Sequence, residues 1–122
     1  MAAATSKSFD TPDELRTPSK ANIAVVDLNG VKVARFSLEP GWRWSESVKP
    51  IAGTDACMAH HLGVLVSGGM HVVGADGSEY EIGPGTAYEI QPGHDAWVVG
   101  DAPIVAFEFD SSAAANYATP TS

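Results

Sequence analysis

Short runs of aliphatic and β-branched residues recur along the chain, and each is closed by a glycine- or proline-bearing turn. NIAVVDL is followed by Asn29-Gly30 and then VKVARFSL. An Asn-Gly pair between two such runs predicts a β-hairpin. Pro40-Gly41 breaks the chain, WRWSESVKP reads as a short strand ended by Pro50, and IAGTDA reads as a loop. CMAHHLGVLVSGG reads as a strand, and MHVVGADGSEYEIGPG carries a second hairpin signal at Asp76-Gly77. TAYEIQPG and HDAWVVGDAP are two further short strands, and IVAFEF closes the series. No run shows a sustained helical period. Many short strands with Gly and Pro turns predict an all-β sandwich or barrel.

The ends differ from this body. Residues 1–20 are polar with two prolines and read as a flexible arm, with one short helical turn at PDEL capped by Thr11 and opened by Pro12. Residues 111–122, SSAAANYATPTS, are small and polar and read as a disordered tail. The ordered domain is therefore expected over residues 21–110.

Composition narrows the partners. The 122 residues fit one domain. Fifteen acids against seven Lys and Arg give a formal net charge of −8. That balance excludes the basic footprint that nucleic acid needs, and it opposes an anionic membrane surface. The single cysteine, Cys57, forms no internal disulfide, so a reducing cytoplasm is the expected compartment. No apolar run approaches the length of a membrane span, and the N-terminus lacks a secretory core.

The order of segments resembles the cupin superfamily, small antiparallel β-barrels related to jelly rolls and also described as double-stranded β-helices. Its first motif is Gly, five residues, His-x-His, three or four residues, Glu, six residues, Gly. Its second is Gly, five residues, Pro-x-Gly, two residues, His. PGWRWSESVKP, HLGVLVSGGMHV and GPGTAYEIQPGHDAW carry the glycine, proline and aliphatic framework over residues 22–109. With PGHDAWVVGD they are similar to small stand-alone bacterial cupins. The ligand positions differ: counting from Gly41 puts Ser47 and Lys49 at the two histidines, and counting back from Gly68 puts His61 at the Glu. Eleven residues separate Lys49 from His61, so a loop is inserted there. Ala96 stands at the last His, with His94 two positions earlier, and Gln91 replaces the Pro. The resemblance implies a divalent metal (Fe, Mn, Zn, Ni or Cu) inside the barrel, and a homodimer.

Strand alternation puts only one of His60 and His61 inward. The motif places His61 inward as a metal ligand, with His60 outward unless a bulge exchanges them. His94 on the returning turn is the second ligand candidate, and Asp95 could orient it. Cys57 shares the face of Ala59 and His61 and is either a soft ligand or a small buried hydrophobe. Glu46 could supply a carboxylate ligand or a general base. Lys49 faces inward by the motif and could serve acid-base work or bind an anion, or it snorkels to water. Trp42, Trp44, Ser47, Tyr88 and Trp97 are candidates for the lining of a small-molecule pocket, and His71 is placed on the surface or at an interface. The leading expectation is a metal-dependent enzyme of dioxygenase, isomerase or lyase type acting on a small organic molecule. The rivals are a metal-free binding or sensing barrel that holds an anion through Lys49 or Arg43, and a metal-free acid-base enzyme.

Overall fold

The computed structural model describes residues 3–119; the outermost residues of the expected arm and tail, 1–2 and 120–122, lie outside the described residues. The chain is all-β with short helical insertions. Its elements are β1 Glu14–Arg16, β2 Ala21–Leu28, β3 Val31–Leu38, α1 Trp44–Ser47, α2 Lys49–Ala52, β4 His61–Ser67, β5 Met70–Gly74, β6 Glu79–Ile82, β7 Thr86–Ile90, β8 His94–Val98, β9 Ile104–Phe109 and α3 Ser112–Asn116. One antiparallel sheet has the order β1-β2-β3-β9-β4-β7, and a second has the order β6-β5-β8. No ladder among the described residues joins β6 to β7, so the barrel stays open on that side. No described helix is long and apolar enough to cross a membrane.

The Asn29-Gly30 turn joins β2 to β3 as expected, with both residues at positive φ (53° and 91°) and Leu28 opposite Val31. This is the backbone that lets a two-residue loop match strand twist. Alternation sets the core. His61, Gly63 and Leu65 of β4 are buried, as are Tyr88 and Ile90 of β7 and His94, Ala96 and Val98 of β8. Phe36 and Leu38 of β3 and Ile104 and Ala106 of β9 fill the interior between them.

Three expectations are corrected. WRWSESVKP forms no strand; it forms α1 and α2. Pro50 has no N–H to give to a ladder but fits the first turn of α2, and Gly53 at φ 75° ends that helix in a left-handed cap. The PDEL turn is not helical. Glu14–Arg16 instead forms the edge strand β1, paired with Ile23–Val25. The tail is ordered through its first nine described residues: Ser111 caps α3 by accepting from Ala114 N–H at 3.1 Å, and Ala113, Ala114 and Tyr117 are buried.

Candidate metal centre

Strand parity builds the site. Cys57, Ala59 and His61 alternate inward, with Met58 exposed and His60 half-buried between them. β4 proper starts at His61, but Cys57 is held by a bridge to His94 across the start of β8. His94 is the first inward residue of β8, two positions and hence one pleat before Ala96. Moving a side chain by two positions along a strand leaves it on the same face, so no backbone shift is needed to bring His94 inward.

These residues converge in the interior. The ligand atoms of Cys57, His61 and His94 all lie within 4.8 Å of one another, and all three side chains are buried. Cys57 Sγ stands 3.7 Å from His61 Nε2, and the two imidazole centroids are 5.0 Å apart. Each imidazole is tied through its other nitrogen. His61 Nδ1–H donates to Glu108 Oε1 at 2.8 Å, with Oε2 at 3.1 Å. His94 Nδ1–H donates to the Gln91 carbonyl oxygen at 2.8 Å, an acceptor that itself has no proton. Both Nε2 atoms are thereby aimed at the shared centre. Tyr88 donates its hydroxyl to Glu108 Oε2 at 2.7 Å, fixing the carboxylate.

Gly63 explains how Glu108 fits. It lies directly across from Glu108 in the β4–β9 pair. A Cβ there would collide with the Phe107 carbonyl oxygen and sit 2.8 Å from Glu108 Cγ. The glycine in HLGVLV therefore makes room for a buried acid.

The electrostatics are those of a buried ion pair. Burial opposes charge on His61, but the Glu108 carboxylate outweighs it, and with the adjacent Cys57 thiolate lifts the imidazolium from 6.5 to about 10. Burial likewise opposes a Cys57 thiolate, yet hydrogen bonds from His61 and His94 and their charge bring the thiol from 9.0 down to about 6. Burial, and then the charge of Glu108, hold the Tyr88 phenol well above its usual range. A thiolate at neutral pH is the form that ligates metal.

The arrangement fits a metal ion. A tetrahedral ion with M–S of about 2.3 Å and M–N of about 2.0 Å needs an S···N separation of about 3.5 Å, close to that seen between Cys57 and His61. His61 and His94 border a cavity of about 20 Å³, whose walls include Phe36, Trp42, Trp44, Tyr88, Glu108 and Tyr117. That volume holds one ion or one water, not an organic molecule. Trp42 and Trp44 each bury an indole N–H with no acceptor among the described residues, so donors beside the cavity await an oxygen or another acceptor.

The remaining candidates are dispersed. His60 points away and pairs with Glu89 at 2.8 Å, on the outer face as the alternation predicts. Glu46 is exposed on α1, and Lys49 is half-exposed with its Nζ 3.8 Å from Asp55. Neither borders the cavity: the helices that replace the expected strand carry them outward. Ser47 is buried but does not line the cavity. Trp97 faces outward, stacked on His71 at 4.6 Å with the Arg43 guanidinium 4.1 Å over its ring. His71 lies on this outer face, held by Glu79 and Glu81. Asp95 turns to the Ser45 and Ala96 amides and to Arg43, so the Gln91 carbonyl, not Asp95, orients His94. Glu108 was not among the candidates. Its signal was present in IVAFEF, where alternation from Ile104 and Ala106 puts the one acid on the inward face.

No protein-family model matches the sequence, and no curated protein matches it. Solved structures match the fold. A sugar phosphate isomerase of the cupin superfamily from Silicibacter pomeroyi superposes with a TM-score of 0.61 at 17% identity, covering 88% of this chain and 75% of its own. The polyketide cyclase RemF from Streptomyces resistomycificus gives 0.58 at 15% identity, covering 87% and 77%. An oxalate decarboxylase from Lactobacillus farciminis gives 0.58 at 14% identity; 91% of this chain is matched, but it spans only 34% of that enzyme. The chain thus has a cupin fold, the double-stranded β-helix.

Within that fold the structure relocates the insertion. Arg43 pairs with Trp97 and Cys57 with His94, so partners three apart on β8 are fourteen apart on the facing segment. The looped-out residues carry α1 and α2 and precede Cys57. Three residues then separate Cys57 from His61, the spacing between the second motif His and the motif Glu. Cys57, not Lys49, occupies that His position. Asp55 falls at the first one, and its carboxylate is exposed.

Proposed function

We propose that the chain binds one divalent transition-metal ion through Cys57 Sγ, His61 Nε2 and His94 Nε2, and uses it on a small oxygen-bearing molecule. The observation that carries this reading is the convergence of three buried donors whose two imidazoles are each oriented through the opposite nitrogen. A structural core histidine needs no such pairing of Nε2 atoms around a thiol. Thiolate with imidazole selects Zn, Fe, Ni or Cu over the harder Mn. Three protein ligands leave a position open, and a metal there supplies Lewis-acid polarisation of a bound oxygen group, or redox chemistry if it is iron or copper. Glu108 keeps the Nδ1 proton of His61 in place, as a carboxylate does behind a metal-bound imidazole. The unpaired Trp42 and Trp44 N–H groups are donors on residues that line the same cavity as His61 and His94. Dioxygenase, isomerase and lyase chemistry all fit this apparatus. The metal-free anion-binding reading lacks its cations, because Lys49 and Arg43 both lie outside the interior.

Metal content by plasma mass spectrometry on tag-free protein tests the reading. One equivalent of Zn, Fe, Ni or Cu is expected in wild type, and its loss in the His61→Ala, His94→Ala double variant. No metal after reloading, or full retention in the double variant, overturns it. Because binding must displace the His61 proton, uptake releases protons and strengthens as pH rises from 6.

A further inference from the structure

The site is closed on one side by the chain's own C-terminal segment. Tyr117 is 3% exposed, and its ring centroid lies 5.0 Å from Phe36 and 5.6 Å from His61. It forms part of the cavity wall beside the ligand atoms. The segment leaves β9 at Asp110, a non-glycine residue at φ 49°, two residues after Glu108. It then makes only the five-residue α3, too short to be stable without its contacts.

A separate group of contacts fastens it. Arg16 of β1, 7% exposed, donates to the Tyr117 carbonyl oxygen at 3.0 Å and to the Ala115 carbonyl oxygen at 2.6 Å. Its guanidinium is gripped in turn by both oxygens of Glu14 at 2.7 and 3.0 Å. At the other end the His60 amide donates to Ser112 Oγ at 2.7 Å, and the Ala113 amide donates to the His60 carbonyl oxygen at 3.0 Å. The segment is thus fixed to the residue preceding His61 and to a three-residue edge strand. β1 lies at the far end of the larger sheet from β7 and the β4 edge of the site.

We propose that residues 111–119 are a latched lid over the Cys57–His61–His94 centre. Asp110 is its hinge and Arg16 its latch, and withdrawal of Tyr117 opens the centre from the C-terminal side. The small cavity behind Tyr117 admits no organic molecule from this side without such a step, while a pocket of about 810 Å³ between β6 and β7, lined in part by Tyr88, Ile90 and His94, offers a second approach. The attachments make it cheaper than global unfolding, since it breaks the Arg16 clamp, the two hydrogen bonds between His60 and α3 and the packing of Tyr117, but no sheet ladder. The proposal concerns regulation of the centre described above and rests on that reading for its purpose, though not for its test.

The test uses Cys57, the only thiol in the chain, as the reporter of access. Alkylation of metal-free protein by iodoacetamide is followed by mass in wild type, Arg16→Ala, Tyr117→Ala and Glu14→Gln. At least a tenfold faster reaction is expected in the first two variants, and a smaller gain in Glu14→Gln, which leaves the packed interior untouched. The rate should respond weakly to low urea, because a local opening exposes little surface. In zinc-loaded protein, loss of zinc to a chelator should accelerate in parallel. Wild-type rates in all three variants, or a urea dependence equal to that of global unfolding, overturn the lid. If wild type binds no metal and the variants still alkylate faster, the lid stands and the metal reading falls.

Discussion

Glu108→Gln removes one charge at nearly constant volume from a side chain that is 2% exposed. Gln keeps an acceptor for His61 Nδ1–H, and its amide can meet the Tyr88 hydroxyl once that hydroxyl turns to accept. What disappears is the charge that stabilises the imidazolium. A hydrogen bond to a charged partner contributes about 1.5–3 kcal/mol, and truncating one member of a buried pair costs about 3–5 kcal/mol. With the hydrogen bond retained in neutral form, the loss should fall near the lower range, about 2–3 kcal/mol at pH 6. The pH dependence gives the sharper result. The folded pKa of His61 is raised from 6.5 to about 10. Its stabilisation is therefore complete below the unfolded value and is lost as pH climbs from 6.5 through about 10. Cys57 acts in the opposite sense: its thiol is lowered from 9.0 to about 6, so its contribution is lost as pH falls through 6. Urea unfolding of metal-free protein at pH 6, 8 and 10 should show a gap between wild type and variant that narrows steadily with pH. A gap of constant size from pH 6 to 10 would mean that Glu108 acts by packing alone and does not sustain a charged His61.

Gly63→Ala should destabilise the fold by about 1–3 kcal/mol, seen as a lower urea midpoint, because its Cβ meets Phe107 and Glu108 and β9 must yield; an unchanged midpoint would mean that the close approach is absent. Cys57→Ser should remove the sulfur-to-metal charge-transfer absorption of cobalt-substituted protein. Persistence of that band would take Cys57 out of the ligand set.

Much of the body was legible in the sequence because its signals are local. The Asn29-Gly30 and Asp76-Gly77 turns, the two-residue period of HLGVLV and HDAWVV, and the Gly-Pro punctuation each act over a few residues. The strands follow from them with little help from distant chain. β1 and α3 have no such signature. ELR is three residues long and SAAAN barely more than one helical turn. They depend on tertiary contacts: β1 on its ladder with β2, and α3 on His60 and on Arg16, which reaches across about a hundred residues of sequence to the Ala115 and Tyr117 carbonyl oxygens. That pairing is tertiary, and composition read each end as loose. WRWSESVKP failed for a different reason: its place in the motif argued for a strand, but Pro50 and Gly53 carried the local chemistry of a helix.

The Cys57, His61 and His94 cluster shows how parity constrains a candidate site even when residue identity drifts. Counting from Gly41 put Ser47 and Lys49 at the ligand positions, because a count cannot tell where extra residues are looped out. Counting back from Gly68 reached His61, which does face the interior, since no insertion lies between them. The pleat offers a sounder rule: any residue displaced by two positions on a strand still faces the same interior. His94 meets that condition with respect to Ala96, and Cys57 meets it with respect to His61. Glu108 meets it with respect to Ile104 and Ala106, and its partner Gly63 lies across the ladder from it. Donors can therefore migrate along an inward face in steps of two while their ligand atoms stay near one centre. The cost falls on the neighbours that must make room, and here that is Gly63, the glycine opposite Glu108.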